Sequence, residues 1–163
     1  LDAAKKVSFP FLLITRKYVP DDLPSNVTLL SGDMRQEIIS DVDLKEIYRK
    51  AACVVIPLLE TLQPSGQSVC LQAMACGIPV IMTHTSGIWD ASKLNDGVNI
   101  LLASVGETSQ ITTHIEKLLS DRKYGQTIAE NGRQLTLKEW NMEQWTDVLE
   151  RVCIQCKNIN QRG

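Results

Sequence analysis

The sequence predicts an α/β fold, a Rossmann-like parallel sheet between helices, and three observations carry that reading. Short apolar runs of strand length alternate along the chain with segments of helical length. One run, Cys53-Val-Val-Ile-Pro-Leu58, is apolar throughout and rich in β-branched residues, as a strand covered on both faces should be. With 163 residues, of which 44% are apolar and 22% charged, the chain suffices for one well-buried domain and not for two.

The elements follow in order. Asp2-Ala-Ala-Lys-Lys6 reads as the last turn or two of a helix and, behind Leu1, suggests a fragment of a longer protein. Phe9–Thr15 has the length of a strand, Pro20-Asp-Asp-Leu-Pro24 is rich in turn formers, and Asn26–Leu30 is a second strand ending at Ser31-Gly32. Asp41 or Asp43 is expected to cap a helix over Leu44–Ala51. Cys53–Leu58 is the third strand, Ser68–Cys76 a helix closed by Gly77, and Val80–Thr83 the fourth strand. A loop with Ser86-Gly87 and Asp96-Gly97 leads to a fifth strand, Asn99–Ala103. Helices are then expected over Thr108–Leu119, Tyr124–Leu137 and Glu143–Cys156, a terminal helical region of about 108–157.

Charge and cysteine usage exclude several function classes. The net charge is −2 and the basic residues are scattered, which argues against nucleic acid as a partner and against an electrostatic membrane patch. No apolar run has the length of a membrane span. Five cysteines, an odd number set in apolar segments, suit buried thiols in a reducing, cytoplasmic setting. Cys153-Ile-Gln-Cys156 has the spacing of half a metal site, but without a second pair or a nearby histidine it reads as two thiols on a helix. His114 likewise has no histidine or cysteine at ligand spacing, so no metal is expected.

One segment points to a ligand. In Pro64–Val80, PSGQSVCLQAMACGIPV, a small polar turn enters a short helix whose N-terminus lies at the carboxyl edge of the sheet. The first amides of such a helix lack intrahelical partners and carry partial positive charge, and Gly66 lets a ligand approach the backbone. Val69, Ala73 and Cys76, with Cys70 and Met74, would form the sheet-facing side, leaving Ser65, Ser68 and Gln72 along the opposite edge. An anion at the helix mouth with Gln72 one turn deeper fits a nucleoside diphosphate. On these residues alone a capped core helix with a solvated Gln72 is equally open. His84, between Thr83 and Thr85 at the same edge, is a further candidate for a phosphate or sugar contact. Trp89 in the following loop is either a stacking surface or a packing plug. Glu116, Lys117, Arg122 and Lys123 read as a solvated helix face.

Gln72-Ala-Met-Ala-Cys-Gly-Ile-Pro-Val-Ile81 resembles the hallmark of group 1 (family 4) glycosyltransferases, and the likeness extends outward. Asn26-Val-Thr-Leu-Leu-Ser-Gly32, Asp43-Leu-Lys-Glu-Ile-Tyr-Arg-Lys-Ala-Ala52, Asp96-Gly-Val-Asn-Ile-Leu-Leu102 and Trp140 with the terminal helix are similar to that family's segments in the same order. The resemblance implies the C-terminal, donor-binding domain of the two-domain GT-B fold. It would lack its first strand, with its phosphate-gripping arginine and lysine, and the N-terminal acceptor domain. Arg16 and Lys17 are poor substitutes by position. It further implies a hexosyltransferase of glycan biosynthesis, retaining and metal-independent, with no cofactor. The donor is a nucleotide-sugar and the acceptor an unidentified glycan, lipid or small molecule. The setting is cytoplasmic or peripheral at the inner membrane face, and the fragment alone is expected to be inactive.

Two positions depart from the pattern. Gln72 stands where the family has its ribose-holding glutamate, and the first glutamate falls on Pro64. A longer spacing from Pro57 to Gln72 leaves either Glu60 or the amides of Gly66 and Gln67 to take its place. The expected donor contacts are thus Ser65, Gly66, Gln67, Ser68, Gln72 and His84, with Glu60 and Thr85 as further candidates. Loss of both glutamates also fits a non-catalytic nucleotide-binding or scaffolding module of the same fold. An epimerase half of similar architecture fits the QAMACG run less well.

Overall fold

The computed structural model describes residues 1–15, 21–31 and 39–160. Arg16, Lys17, Pro20 and Gly32, each weighed above, lie outside them. Helices and parallel strands alternate as expected, but the strands form two hydrogen-bonded sheets rather than one. Strand β1 (Phe11–Thr15) pairs with β2 (Val27–Ser31), and β3 (Val54–Ile56), β4 (Val80–His84) and β5 (Leu101–Ser104) pair in that order.

The first half is organised by Asn26. The sequence places Pro10, which has no N–H to give a ladder, before β1, so pairing begins at Phe11, whose amide donates to the Asn26 carbonyl. The Asn26 side-chain amide lies 2.9 Å from each of the Ala4, Val7 and Phe9 carbonyls, tying the end of helix α1 (Asp2–Lys6) to the strands. Ala4 is buried and α1 packs on helix α4 (Thr108–Ser120).

Helix α2 (Asp41–Lys50) starts three residues before the expected Leu44, and neither aspartate caps it. Ser40 does. Its Oγ accepts from the Asp43 amide at 3.1 Å and donates to the Asp43 carboxylate at 2.7 Å, so the aspartate orients the cap.

β3 covers only three of the six residues expected of it. Beyond Ile56 the strand meets Pro57, and the Leu58 amide turns to the Thr83 hydroxyl instead of the ladder. β5 begins two residues late because Asn99 holds a turn. Its side chain accepts from the Asn95 amide and donates to the Lys93 carbonyl.

β4 is the centre of the core. Its alternating residues feed both faces: Val80 and Met82 pack with Cys70, Ala73 and Met74 of helix α3 (Gln67–Ala75), and Ile81 packs with Ile115 and Leu118 of α4. α3 buries Cys70, Ala73 and Met74 as expected, while Val69 stands exposed at the helix mouth. The outer edge of β5 is closed by side chains. Asp96 accepts from the Leu102 amide, Gln110 accepts from the Ser104 amide, and the His114 ring bonds the Leu102 carbonyl. Helices α5 (Arg122–Glu139) and α6 (Met142–Asn160) complete the chain, and α6 exposes Met142, Trp145, Val148 and Val152.

The expectation of buried thiols holds for Cys70, with Cys53 and Cys76 half-buried; Cys153 and Cys156 are exposed on α6. Burial pushes the Cys53 thiol up to about 11 and the Cys70 thiol up to about 12. A native pKa above the unfolded value favours folding fully below the unfolded pKa of about 8.5 and less at each step above it. Urea denaturation is therefore expected to lose stability between pH 8.5 and 10.5 at up to about 1.4 kcal/mol per pH unit for each thiol. A Cys70→Ala chain, weaker overall, should show a shallower slope; an unchanged slope would exclude Cys70 as a source.

Candidate functional site

Because all pairs in both sheets are parallel, the carboxyl ends of β3, β4 and β5 open on one edge. From β3 the chain passes through Pro57–Ser65 to Gly66, the residue before α3. Gly66 has φ of +73°, and a Cβ there would stand 2.8 Å from Ile56 Cγ2. Left-handed backbone and close approach both demand glycine. The first helical bond runs from the Cys70 amide to the Gly66 carbonyl, and no side chain caps the helix. The Gln67, Ser68 and Val69 amides are thus left without a partner among the described residues. They face a cavity of about 260 Å³ lined by residues 64–69, Ser65, Gly66, Gln67 and Ser68 among them. The structure therefore brings together four of the six expected donor contacts.

Gln72 lies farther along α3, exposed, with a partner that sequence reasoning missed. Tyr48 of α2, buried, donates its hydroxyl to Gln72 Oε1 at 3.2 Å. Desolvation holds the Tyr48 phenol above its usual range, so it remains a donor. The bond turns the Gln72 NH₂ outward (a donor face where a carboxylate would present acceptors). No local motif pairs a tyrosine with a glutamine 24 residues on; only the packing of α2 against α3 does.

Glu60, His84 and Thr85 are placed differently from the helix mouth. Glu60 Oε1 accepts from the Ser86 amide at 2.9 Å, and beside it the Gly87 amide donates to the Thr61 carbonyl at 2.8 Å. These two bonds latch the loop after β3 to the loop after β4. The Ser86 amide, helped by the nearby His84 imidazole, holds the Glu60 carboxyl below its usual range. Thr85 is buried, 1% exposed. His84, exposed at the end of β4, lines a separate cavity of about 750 Å³ with Asp96, Ser104, Gln110 and His114. Trp89 is a plug: it is buried edge-on against Trp140, with ring centroids 4.6 Å apart, and Trp140 Nε1 donates to Asp90. Lys93, between Asp90 and Glu139, fastens the same loop to the end of α5. Among the described residues, no group of three or more His, Cys, Asp or Glu side chains could hold a metal ion, and no helix is long and apolar enough to cross a membrane.

Residues 5–121 match the family model described as glycosyl transferases group 1. The chain belongs to this family. An uncharacterized glycosyltransferase of Methanocaldococcus jannaschii is 27% identical over 146 residues, which are 85% of this chain and 38% of that protein. The chain thus spans well under half the length of this curated relative. The C-terminal domain of a group 1 family protein from Francisella tularensis superposes with a TM-score of 0.59 at 24% identity, over 72% of this chain and 55% of that one. Anabaena HepE, solved in complex with UDP-glucose, superposes with a TM-score of 0.61 at 20% identity, over 79% of this chain and 32% of that one. The fold is that of the GT-B glycosyltransferases.

Gly87 tests the latch. A Cβ there would lie 2.4 Å from the Leu62 carbonyl carbon, inside the backbone of the opposite loop. Gly87→Ala is expected to cost about 2 kcal/mol or more in urea denaturation, by forcing the loops apart. A loss below about 0.5 kcal/mol would show that the loops are not held together.

Proposed function

We propose that this chain is the donor-binding domain of a retaining hexosyltransferase, which takes a sugar from a nucleoside-diphosphate sugar and passes it to an acceptor held elsewhere in the full-length protein. The observation that carries the reading is the α3 mouth in a group 1 glycosyl transferase: three unpartnered amides behind Gly66, at the carboxyl edge of a parallel sheet. Those amides and the helix dipole would hold the diphosphate. As the glycosidic bond breaks, negative charge grows on the leaving diphosphate, and fixed donors aimed there lower the barrier without reorganisation. Ser65 and Ser68 would bond the phosphate oxygens, and the outward NH₂ of Gln72 would donate to a ribose hydroxyl. HepE is solved with UDP-glucose, which makes uridine the first base to try. The reading takes no metal and no cofactor, and it places the domain in the cytoplasm or at the inner membrane face.

A second reading rests on Gln72 and Pro64, which stand where the family has carboxylates, and on Glu60, whose carboxylate already serves the Ser86 amide. A nucleotide-binding module without turnover has the same mouth.

The full-length protein is to be supplied with nucleotide-sugars, with calorimetric titration of UDP, GDP and ADP alongside. Transfer is expected from one of them, undiminished by a chelator and with the donor's anomeric configuration kept in the product by NMR. The 163-residue chain alone is expected to transfer nothing. Gln72→Ala should weaken nucleotide binding about tenfold with circular dichroism unchanged, as loss of a well-made polar contact does, and Gly66→Val should weaken it as well, by straining the left-handed turn and crowding Ile56 at the α3 mouth. Binding untouched by either would remove the α3 mouth from the site, and binding without transfer would select the second reading.

Tyr48→Phe is a subtler probe. Without the phenol, the Gln72 amide is free to turn its oxygen outward, and nucleotide affinity should fall about threefold to tenfold. Tyr48→Phe with native affinity would mean that Gln72 needs no such positioning.

A further inference from the structure

The outer edge of β5 does more than end the sheet. Each side chain that closes it commits one polar atom to the backbone and keeps another. Asp96 Oδ1 accepts from the Leu102 amide at 2.8 Å, and Gln110 Oε1 accepts from the Ser104 amide at 2.7 Å. His114 Nε2 lies 3.1 Å from the Leu102 carbonyl. A carbonyl only accepts, so this nitrogen carries the proton and donates. Asp96 Oδ2, Gln110 Nε2 and His114 Nδ1 are left without a partner among the described residues, on side chains that line the cavity of about 750 Å³.

The same bonds set the direction of what remains. A side chain already fixed by one atom loses little further rotamer freedom when a ligand takes the other. His84 and Ser104, register partners at the ends of β4 and β5, line the cavity beside them. Thr113 of α4 adds a hydroxyl which, like that of Ser104, bonds no other described residue. The volume falls within the about 300–1,000 Å³ of small-molecule pockets.

The lining selects a ligand class by elimination. Two imidazoles and a carboxylate in one cavity suggest a metal, but among the described residues no such group could hold one. No lysine or arginine is among the residues that line it, and the Asp96 carboxylate repels an anion, so phosphate is disfavoured. An apolar ligand would cover Asp96 Oδ2 and Gln110 Nε2 without bonding them. A neutral polyhydroxyl ligand meets every demand. Its hydroxyls donate to the carboxylate, accept from the Gln110 NH₂, and do either with Ser104 and Thr113.

We infer that the groove at the β5 edge is a saccharide-binding site, distinct from the α3 mouth, which holds an uncharged sugar through Asp96, Ser104, Gln110 and Thr113. Such a sugar has two sources: a free glycan, or the hexosyl group of a nucleotide-sugar reaching past the end of β4. The inference stands on the groove and does not need the donor reading.

The chain has two histidines, His84 and His114, and both line the groove, so the imidazole C–H signals of its carbon–proton NMR spectrum report on this place. Glucose, galactose, mannose, N-acetylglucosamine, maltose and lactose are titrated singly into the 163-residue chain, with UDP and UDP-glucose as separate arms. A saturable shift of both signals is expected. Shifts with a free sugar assign the groove to a glycan, and shifts with UDP-glucose beyond those of UDP assign it to the hexosyl group. The inference is overturned if no saccharide, free or in UDP-glucose, moves the signals beyond what UDP does. Gln110→Glu keeps an acceptor for the Ser104 amide but replaces the free NH₂ with an oxygen, and Thr113→Val removes a hydroxyl at nearly constant shape. Each should weaken saccharide binding about tenfold with circular dichroism and UDP affinity unchanged. Saccharide affinity unmoved by both variants also overturns it. UDP affinity reads the α3 mouth and the sugar shifts read the groove, so the two sites stand or fall separately.

Discussion

Parallel pairing of β4 with a strand on either side is the constraint on which the rest of the structure depends. Val80, Ile81, Met82 and Thr83 are each 3% exposed or less, which is attainable only if helices cover both faces. α3 must then run back over one face and α4 over the other. Once those directions are set, the start of α3, the end of β4 and the start of α4 share one edge, whatever the loops contain. The chemistry at that edge is local, but its location is a property of the sheet.

Within the edge, polar groups divide into those turned inward to hold the loops and those left for a ligand. Glu60 and Thr61 belong to the first set, since both bond backbone amides of the opposite loop. Trp89, Trp140, Asp90 and Lys93 extend the same bracing to the end of α5. The α3 amides and the NH₂ of Gln72 belong to the second set. These groups are donors, the polarity that the proposed diphosphate would meet with its oxygens. A carboxylate at position 72 would present only acceptors, whereas the Gln72 amide, with its oxygen held by Tyr48, has its NH₂ as a donor.

The fold was legible in the sequence because each element follows from short-range chemistry: apolar runs of strand length, Gly77 after α3, alternation of helix with strand. The α3 mouth was legible for the same reason, since Ser65-Gly66 and the helix that follows are contiguous. What escaped were consequences of packing between distant segments. Tyr48 meets Gln72 only because α2 and α3 lie together. Glu60 is a plausible ligand contact by spacing and becomes a loop tie only when β4 brings Ser86 beside it. Ser40 was passed over as a cap because two aspartates close by are equally good candidates, and the choice between them is made by the approach of the chain. His84 stands at the expected edge but in the cavity beside β5, because β4 runs one residue longer than its apolar run.

The side-chain closure of the β5 edge carries a consequence for how the molecule assembles in time. From β3 to the end of α4 each strand pairs with the next strand in sequence, and the far edge is finished by Asp96, Gln110 and His114 from the same stretch. Such a unit closes only short loops, so its strands can pair early, before α5 packs on α3 and brings Ile128 into the core. β1 and β2 are separated from β3 along the chain by α2, and they meet this core through Phe11 in the cluster around Ile81, beside the packing of α1 on α4. During synthesis they emerge first, yet they are the part that must be held until the later-made half exists to receive them.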